Sequence, residues 1–440
     1  MVTSPRVAAT PPYTSDRGVS VPMLRQRLAA RFADWRYTGG KRDLRIDFLR
    51  GFAVLAMVAD HLGGEPSWLY NVTGGNHFLF SAAEGFVFIS GFVMGIVYVG
   101  VIAKQGVSEA SWKALRRAGT LYLLTVILTF AFSALSHITH MPWVEGASVG
   151  DPLARMIERL TLHRAFYLTD VLLMYTLLVA AAPFAFVLLK YRRTPVLLTG
   201  SWVMWAIYQR WPDQIDLPWK IEDNSVFHVA AWQALFFTGL ALGFHREKIA
   251  AFARRIPVVP YFAVLTALCT ALVVFQRING SLLAPFTPDG DTADLIDRFF
   301  GKADLRIGRV LAFAIFFQFF LTLVTLAWKP LYSALGWFLM PLGQSALLAY
   351  SAHLGVIVAF TKIVPQVPFL HTASAAANTF VQLCGILAVW GVVRMTPTAK
   401  TVVRQVREGM PIPARFRLAS TQAVQVAPMA AGRETERQGR

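Results

Sequence analysis

The chain has 440 residues, of which 55% are hydrophobic and only 15% charged, with a mean hydropathy of +0.49. That is too apolar for a soluble domain of ordinary composition, so the solvent for most of this chain is a lipid bilayer. The formal charge of +17 does not require nucleic acid, because basic loops flanking membrane helices account for it.

Residues 1–40 are polar, basic and rich in Pro, and no short apolar stretch with a small-residue cleavage site precedes the first long apolar run. Within this arm, Val21, Leu24, Leu28, Phe32 and Trp35 recur at helical spacing, with Arg25, Arg27, Arg31 and Arg36 available for a polar face. That pattern fits either a helix lying in the membrane interface or a basic arm without fixed structure.

Apolar windows long enough to span a bilayer follow near 47–64, 78–101, 117–136, 167–189, 195–209, 228–245, 258–276, 308–328, 343–361 and 378–394. The expected fold is therefore all-α, a polytopic integral membrane protein with about ten transmembrane helices. Residues 41–395 form its single membrane domain, and the segment 330–342, bracketed by prolines, reads as an interfacial or re-entrant connector. The last part, 396–440, reads as a disordered cytoplasmic tail.

Loop charge sets the orientation. With the N-terminus inside, the cytoplasmic segments carry 30 Lys and Arg and the outer loops 11, with Arg50 inside the first helix. Both termini are thus expected in the cytoplasm, as in a multi-pass inner-membrane protein.

Ionisable groups within apolar helices are costly, which makes each a candidate for function. The first helix, RDLRIDFLRGFAVLAMVADHLGG, holds the densest set, with Arg42, Asp43, Arg45, Asp47 and Arg50 at one end and Asp60 and His61 at the other. Eleven steps of about 100° place Arg50 and His61 within about 20° on one helix face, roughly 16 Å apart along the axis. Arg50, with Arg45 beside it, is suited to the phosphates or thioester arm of a cytosolic acyl-CoA; it serves equally as a snorkelling anchor. His61 is suited to deprotonating an outer hydroxyl, and a hydrogen-bonded packing role is the alternative. Asp47 is expected to pair with Arg50 or Arg45.

In the second window Glu84 lies at the depth of His61 and can orient its ring, or else pair with an arginine of another helix. Asp60, adjacent to His61 and so turned about 100° away, can meet another helix or the acceptor. Asp170, Trp232 and Gln233 are candidates for lining the same cavity on the acceptor side. His353, in the middle of the ninth window, is either a member of that cavity or an interhelical hydrogen-bond partner. Gly91 and Gly95 form a small-xxx-small pair that implies close packing of another helix. Cys269 and Cys384 lie in apolar runs without ligand spacing, and no cluster of His and carboxylates has the spacing of a metal site.

In order, the blocks RDLRIDFLRG through ADH, SAAEGFVFISGFVMGIVY, FYLTDVLLMYTLL, FHVAAWQALFFTGLALG and PLGQSALLAYSAHLG resemble the OpgC family. The family is similar to the wider group of type 3 membrane acyltransferases, in which an Arg and a His on the first helix are separated by ten residues, as Arg50 and His61 are here. The resemblance covers about residues 40–395. His228 and Val229 stand where an Asn and a Pro are expected, a departure that bears on the substrate.

What the resemblance implies is a ten-helix protein of the bacterial inner membrane. It would transfer succinyl from cytosolic succinyl-CoA to hydroxyls of osmoregulated periplasmic glucans. Taken with the residue pattern, the expected mechanism has His61 as general base or acyl relay with Glu84 as its partner, and no metal. A transporter or flippase for a glycan or an acyl carrier, an acyltransferase for another surface glycan, and a non-catalytic scaffold are the rival readings. No internal repeat or pair of broken helices favours the transporter.

Overall fold

The computed structural model describes residues 34–39, 42–75, 78–139, 152–166, 169–224, 226–283, 292–364 and 374–407. The basic arm before residue 34, with most of the expected interfacial helix, and the tail beyond 407 lie outside them.

The described chain is helical, and its sole extended pairing is a single bridge between Arg164 and Glu222. The elements are α1 (Leu44–His61), α2 (Tyr70–Thr73), α3 (Ala82–Thr139), α4 (Pro152–Leu160), α5 (Asp170–Lys190), α6 (Thr194–Arg210), α7 (Val229–Phe244), α8 (Arg246–Ala253), α9 (Val258–Leu283), α10 (Thr292–Phe300), α11 (Ile307–Leu326), α12 (Trp328–Gln344), α13 (Ala346–Ile363) and α14 (Ala375–Arg407). The all-α expectation holds.

Six stretches among the described residues combine the length and hydropathy of a membrane crossing: Ala82–Leu135, Asp170–Lys190, Val258–Ile278, Ile307–Leu326, Ala346–Ile363 and Ala375–Thr396. In α9 only 11% of that window is buried inside the protein, leaving Val259, Val264, Leu268 and Val274 exposed. In water such a surface would be an aggregation site; in a bilayer it is a lipid-facing one.

The long α3 is two helices. Gly106, at φ 85° and ψ 173°, breaks it inside what sequence alone marks as a loop, 102–117. Contacts with α5 show that the two arms run in opposite directions. On the first arm, Phe86 shares a cavity with Val171, and Tyr98 stacks on Phe186 with ring centroids 4.8 Å apart. On the second, Arg117 meets Tyr175 (3.0 Å) and Thr129 meets Thr169 (3.0 Å), so residue numbers rise on one helix as they fall on the other.

Backbone contact holds the centre together. A Cβ on Gly91 would lie 2.1 Å from the carbonyl oxygen of Phe236, and one on Gly239 would lie 2.3 Å from that of Phe88. The small pair of the second window is thus answered by a matching pair, Gly239 and Gly243, on α7.

The segment 330–342 lies within α12, a helix packed closely on α1, where a Cβ on Gly343 would meet the carbonyl oxygen of Asp47. Its prolines do not prevent this. Pro330 falls in the first turn, whose N–H groups have no helical partner, while Pro341, in the last turn, costs the helix one backbone hydrogen bond. At the end of the chain, α14 continues to Arg407, past the boundary expected at 395.

Candidate functional site

α1 is the spine of the site. Asp43 caps its start by accepting the Arg45 backbone N–H at 3.2 Å, and Arg45 is held by Asp43 (2.9 and 2.7 Å), by the Thr325 hydroxyl (2.8 Å) and over the Tyr37 ring. Asp47 pairs with Arg42 at 2.6 Å, not with Arg45 or Arg50. Arg45 is therefore an anchor at this end of α1 and does not line the Arg50 cavity.

Arg50, one turn further on, opens onto a small cavity of about 40 Å³ that also exposes Arg117, Tyr175, Ser90, Phe86 and Tyr350. Two guanidinium groups thus share a cavity that no carboxylate lines among the described residues. Arg117 donates to the Tyr175 hydroxyl at 3.0 Å, whereas the buried Nε of Arg50 has no hydrogen-bond partner among the described residues.

At the far end of α1, Asp60 and His61 line a second cavity of about 130 Å³ together with Asp170, His353, Lys302, Ser81 and Phe227. His61 is accessible despite its depth because the cavity opens onto it. Its Nδ1 lies 3.2 Å from Nε2 of His353, which is itself 1% exposed, and the two rings meet edge to edge with centroids 5.3 Å apart and planes 30° apart. Asp170, at the first residue of α5, accepts the Val171 N–H at 2.8 Å. One oxygen of Asp60 is buried without a hydrogen-bond partner among the described residues. Phe86, Val171 and Tyr350 line both cavities and are the partition between them.

Three expected positions change. Glu84 does not face His61: it forms a buried ion pair with Arg309, and its other oxygen accepts the Ser81 N–H (2.8 Å) and hydroxyl (2.7 Å). The ring partner of His61 is His353 instead. Trp232 does not line the cavity; it is fully buried, donating to the carbonyl oxygens of Val226 (3.2 Å) and Ala303 (3.1 Å), which sit beside the cavity residues Phe227 and Lys302. Gln233 is likewise turned away, bonded to Ser201 (2.5 and 2.8 Å) and to the Ala230 carbonyl (3.1 Å).

Lys302 is the cavity residue that sequence reasoning missed. It stands in the turn before α11, where burial holds its ammonium below the usual lysine range while Glu84, Asp60 and Asp170 act against that shift. Arg117 was also missed, hidden among the basic residues of an expected loop. Among the described residues, no group of three or more His, Cys, Asp or Glu is placed to hold a metal ion.

Comparison with known families decides the assignment at this point: a family model described as OpgC protein matches residues 42–401. The chain belongs to the OpgC family. The matched span contains both cavities and every residue named in them. No curated protein and no solved structure matches the chain. As an OpgC family member with several apolar membrane-length helices, the protein is a membrane protein of a glucan-modifying acyltransferase family.

Proposed function

We propose that the protein transfers succinyl from cytosolic succinyl-CoA to hydroxyl groups of periplasmic glucans. The observation that carries this reading is the pair of cavities along one face of α1, one lined by Arg50 and Arg117 and the other by His61 and His353. Phe86, Val171 and Tyr350 line both. A reaction that joins a cytosolic donor to an outer acceptor needs such a division, with a cationic site for phosphates on one side and a base on the other.

In this reading the membrane is crossed ten times, by α1, both arms of α3, α5, α6, α7, α9, α11, α13 and α14. Both termini lie in the cytoplasm of a bacterium and the helices in its inner membrane. The antiparallel arms of α3 and the excess of Lys and Arg in alternate loops support that count and orientation.

Arg50 and Arg117 hold the donor's phosphates or thioester arm. The acceptor hydroxyl oxygen attacks the thioester carbonyl carbon while its proton passes to His61. As the ester bond forms and the C–S bond breaks, the thiolate leaves and takes up a proton. Asp60 and Asp170 offer hydrogen-bond acceptors to the sugar's other hydroxyls. Each succinyl added leaves one carboxylate on the glucan.

The test uses membranes containing the full chain, succinyl-labelled CoA thioester and glucan acceptor. Wild type is expected to label the glucan, and Arg50→Gln to raise the donor KM by about 10-fold or more, the loss of one charge-assisted hydrogen bond. Unlabelled glucan with wild type, or a donor KM indifferent to Arg50, would overturn the reading.

A further inference from the structure

The His353 ring is engaged at both nitrogens. Its Nδ1 lies 2.7 Å from the carbonyl oxygen of Tyr350, one turn back on α13, and its Nε2 lies 3.2 Å from His61 Nδ1. A carbonyl oxygen can only accept, so the hydrogen in the first contact sits on His353 Nδ1. In the neutral ring Nε2 then carries the lone pair, and in the second contact it is the acceptor. The donor there is His61 Nδ1. A neutral His61 with hydrogen on Nδ1 has its own lone pair on Nε2. The donors therefore point one way along the chain of contacts, from His61 through His353 to the backbone of α13.

We infer that His353 is a positioning residue for acyl transfer. It holds His61 in the Nδ1–H tautomer and thereby makes Nε2 the atom that takes the proton from the acceptor hydroxyl. This rests on the reading of His61 as the base and adds to it the identity of the basic atom and the group that selects it.

Three features support it. His353 is 1% exposed and meets His61 edge to edge, the ring planes 30° apart, so the lone pair of one nitrogen faces the hydrogen of the other. With both of its nitrogens committed, His353 has none left to offer a substrate. Glu84, the carboxylate nearest this role by depth, is already bonded to Arg309 and Ser81. The proton's route follows: hydroxyl oxygen to His61 Nε2 as the ester bond forms, then His61 Nε2 to the departing thiolate sulfur as the C–S bond breaks. Through both transfers His61 Nδ1–H stays bonded to His353.

The test compares His353→Gln with His353→Asn in the full-length protein in membranes, each checked for equal insertion. A glutamine amide reaches about as far as Nε2 and restores an acceptor for His61 Nδ1–H. An asparagine amide reaches only to the Nδ1 position; it satisfies the Tyr350 carbonyl and removes the acceptor that His353 gives His61, leaving the Met57 carbonyl of α1 as a backbone acceptor beside the ring. The expected result is Gln within about threefold of wild-type kcat and Asn down by about 10²-fold, both with unchanged KM values.

A purely structural role predicts the reverse order, because it is the Tyr350 contact that Asn preserves. Asn equal to or better than Gln, or both variants at wild-type rate, or both inactive while folded, would overturn the inference. Failure of the underlying reading looks different: wild type itself transfers no acyl group, or His61→Ala is as active as wild type.

Discussion

Glu84 of α3 and Arg309 of α11 meet as an ion pair inside the bundle, their side chains 0% and 5% exposed and 225 residues apart in the chain. The pair ties the start of α11, and with it the Lys302 turn, to the start of α3, so two walls of the His61 cavity are set by one contact. Removing one partner strands a buried charge, which costs about 3–5 kcal/mol, whereas removing both does not. Glu84→Gln and Arg309→Met are each expected to lower thermal stability in detergent markedly, and the double variant to lose less than the sum of the two. Singles as stable as wild type would show that the pair does not hold the walls.

Phe86 and Tyr350 stack at 6.1 Å across the boundary of the two cavities. The Arg50 cavity, about 40 Å³, must widen here to pass a thioester arm. Phe86→Trp overfills the partition at a cost of about 1–3 kcal/mol in stability. The expected outcome is a fall in kcat for acyl transfer of about tenfold, at the cost of about 1.4 kcal/mol per decade, with the donor KM unchanged. A kcat at the wild-type value would show that the acyl group does not pass between these rings.

Lys302 carries a sign that titration can read. Its ammonium is held below the usual lysine range by burial. Between that lowered value and the unfolded value of about 10.4 the unfolded chain binds one proton more than the folded one, so stability attributable to this group rises with pH through the window. Below the window the penalty for burying the charge is present in full. Thermal midpoints across this alkaline range are expected to show a rising component in wild type that Lys302→Met removes. Identical pH dependence in both proteins would contradict the assignment.

How much of this was legible in the sequence follows from what helical periodicity encodes. It fixes depth and, within one helix, azimuth; hence Arg50 and His61 on one face of α1 were readable, as was the close packing at Gly91 and Gly95. It does not fix which way one helix faces another. Glu84 lies at the depth of His61, yet its partner comes from α11, and the His61 partner comes from α13.

Trp232 and Gln233 were misplaced for a related reason. Polar groups in an apolar helix imply partners, but here the partners are Ser201, Ala230, Val226 and Ala303 and not a cavity. Lys302 left no signal at all, because a lysine in a loop reads as solvated until the loop is known to fold over a cavity. In α12 the prolines at each end looked like breaks, although the first turn tolerates Pro330 and Pro341 removes one bond from the last.

The most direct measurement of the central claim is the mass of periplasmic glucans from a deletion strain complemented with wild type, His61→Ala or empty vector, with equal membrane levels of the two proteins. The account predicts that wild type alone adds mass increments of one succinyl group each. Glucans left unmodified by wild type, or modified equally by His61→Ala, would contradict it.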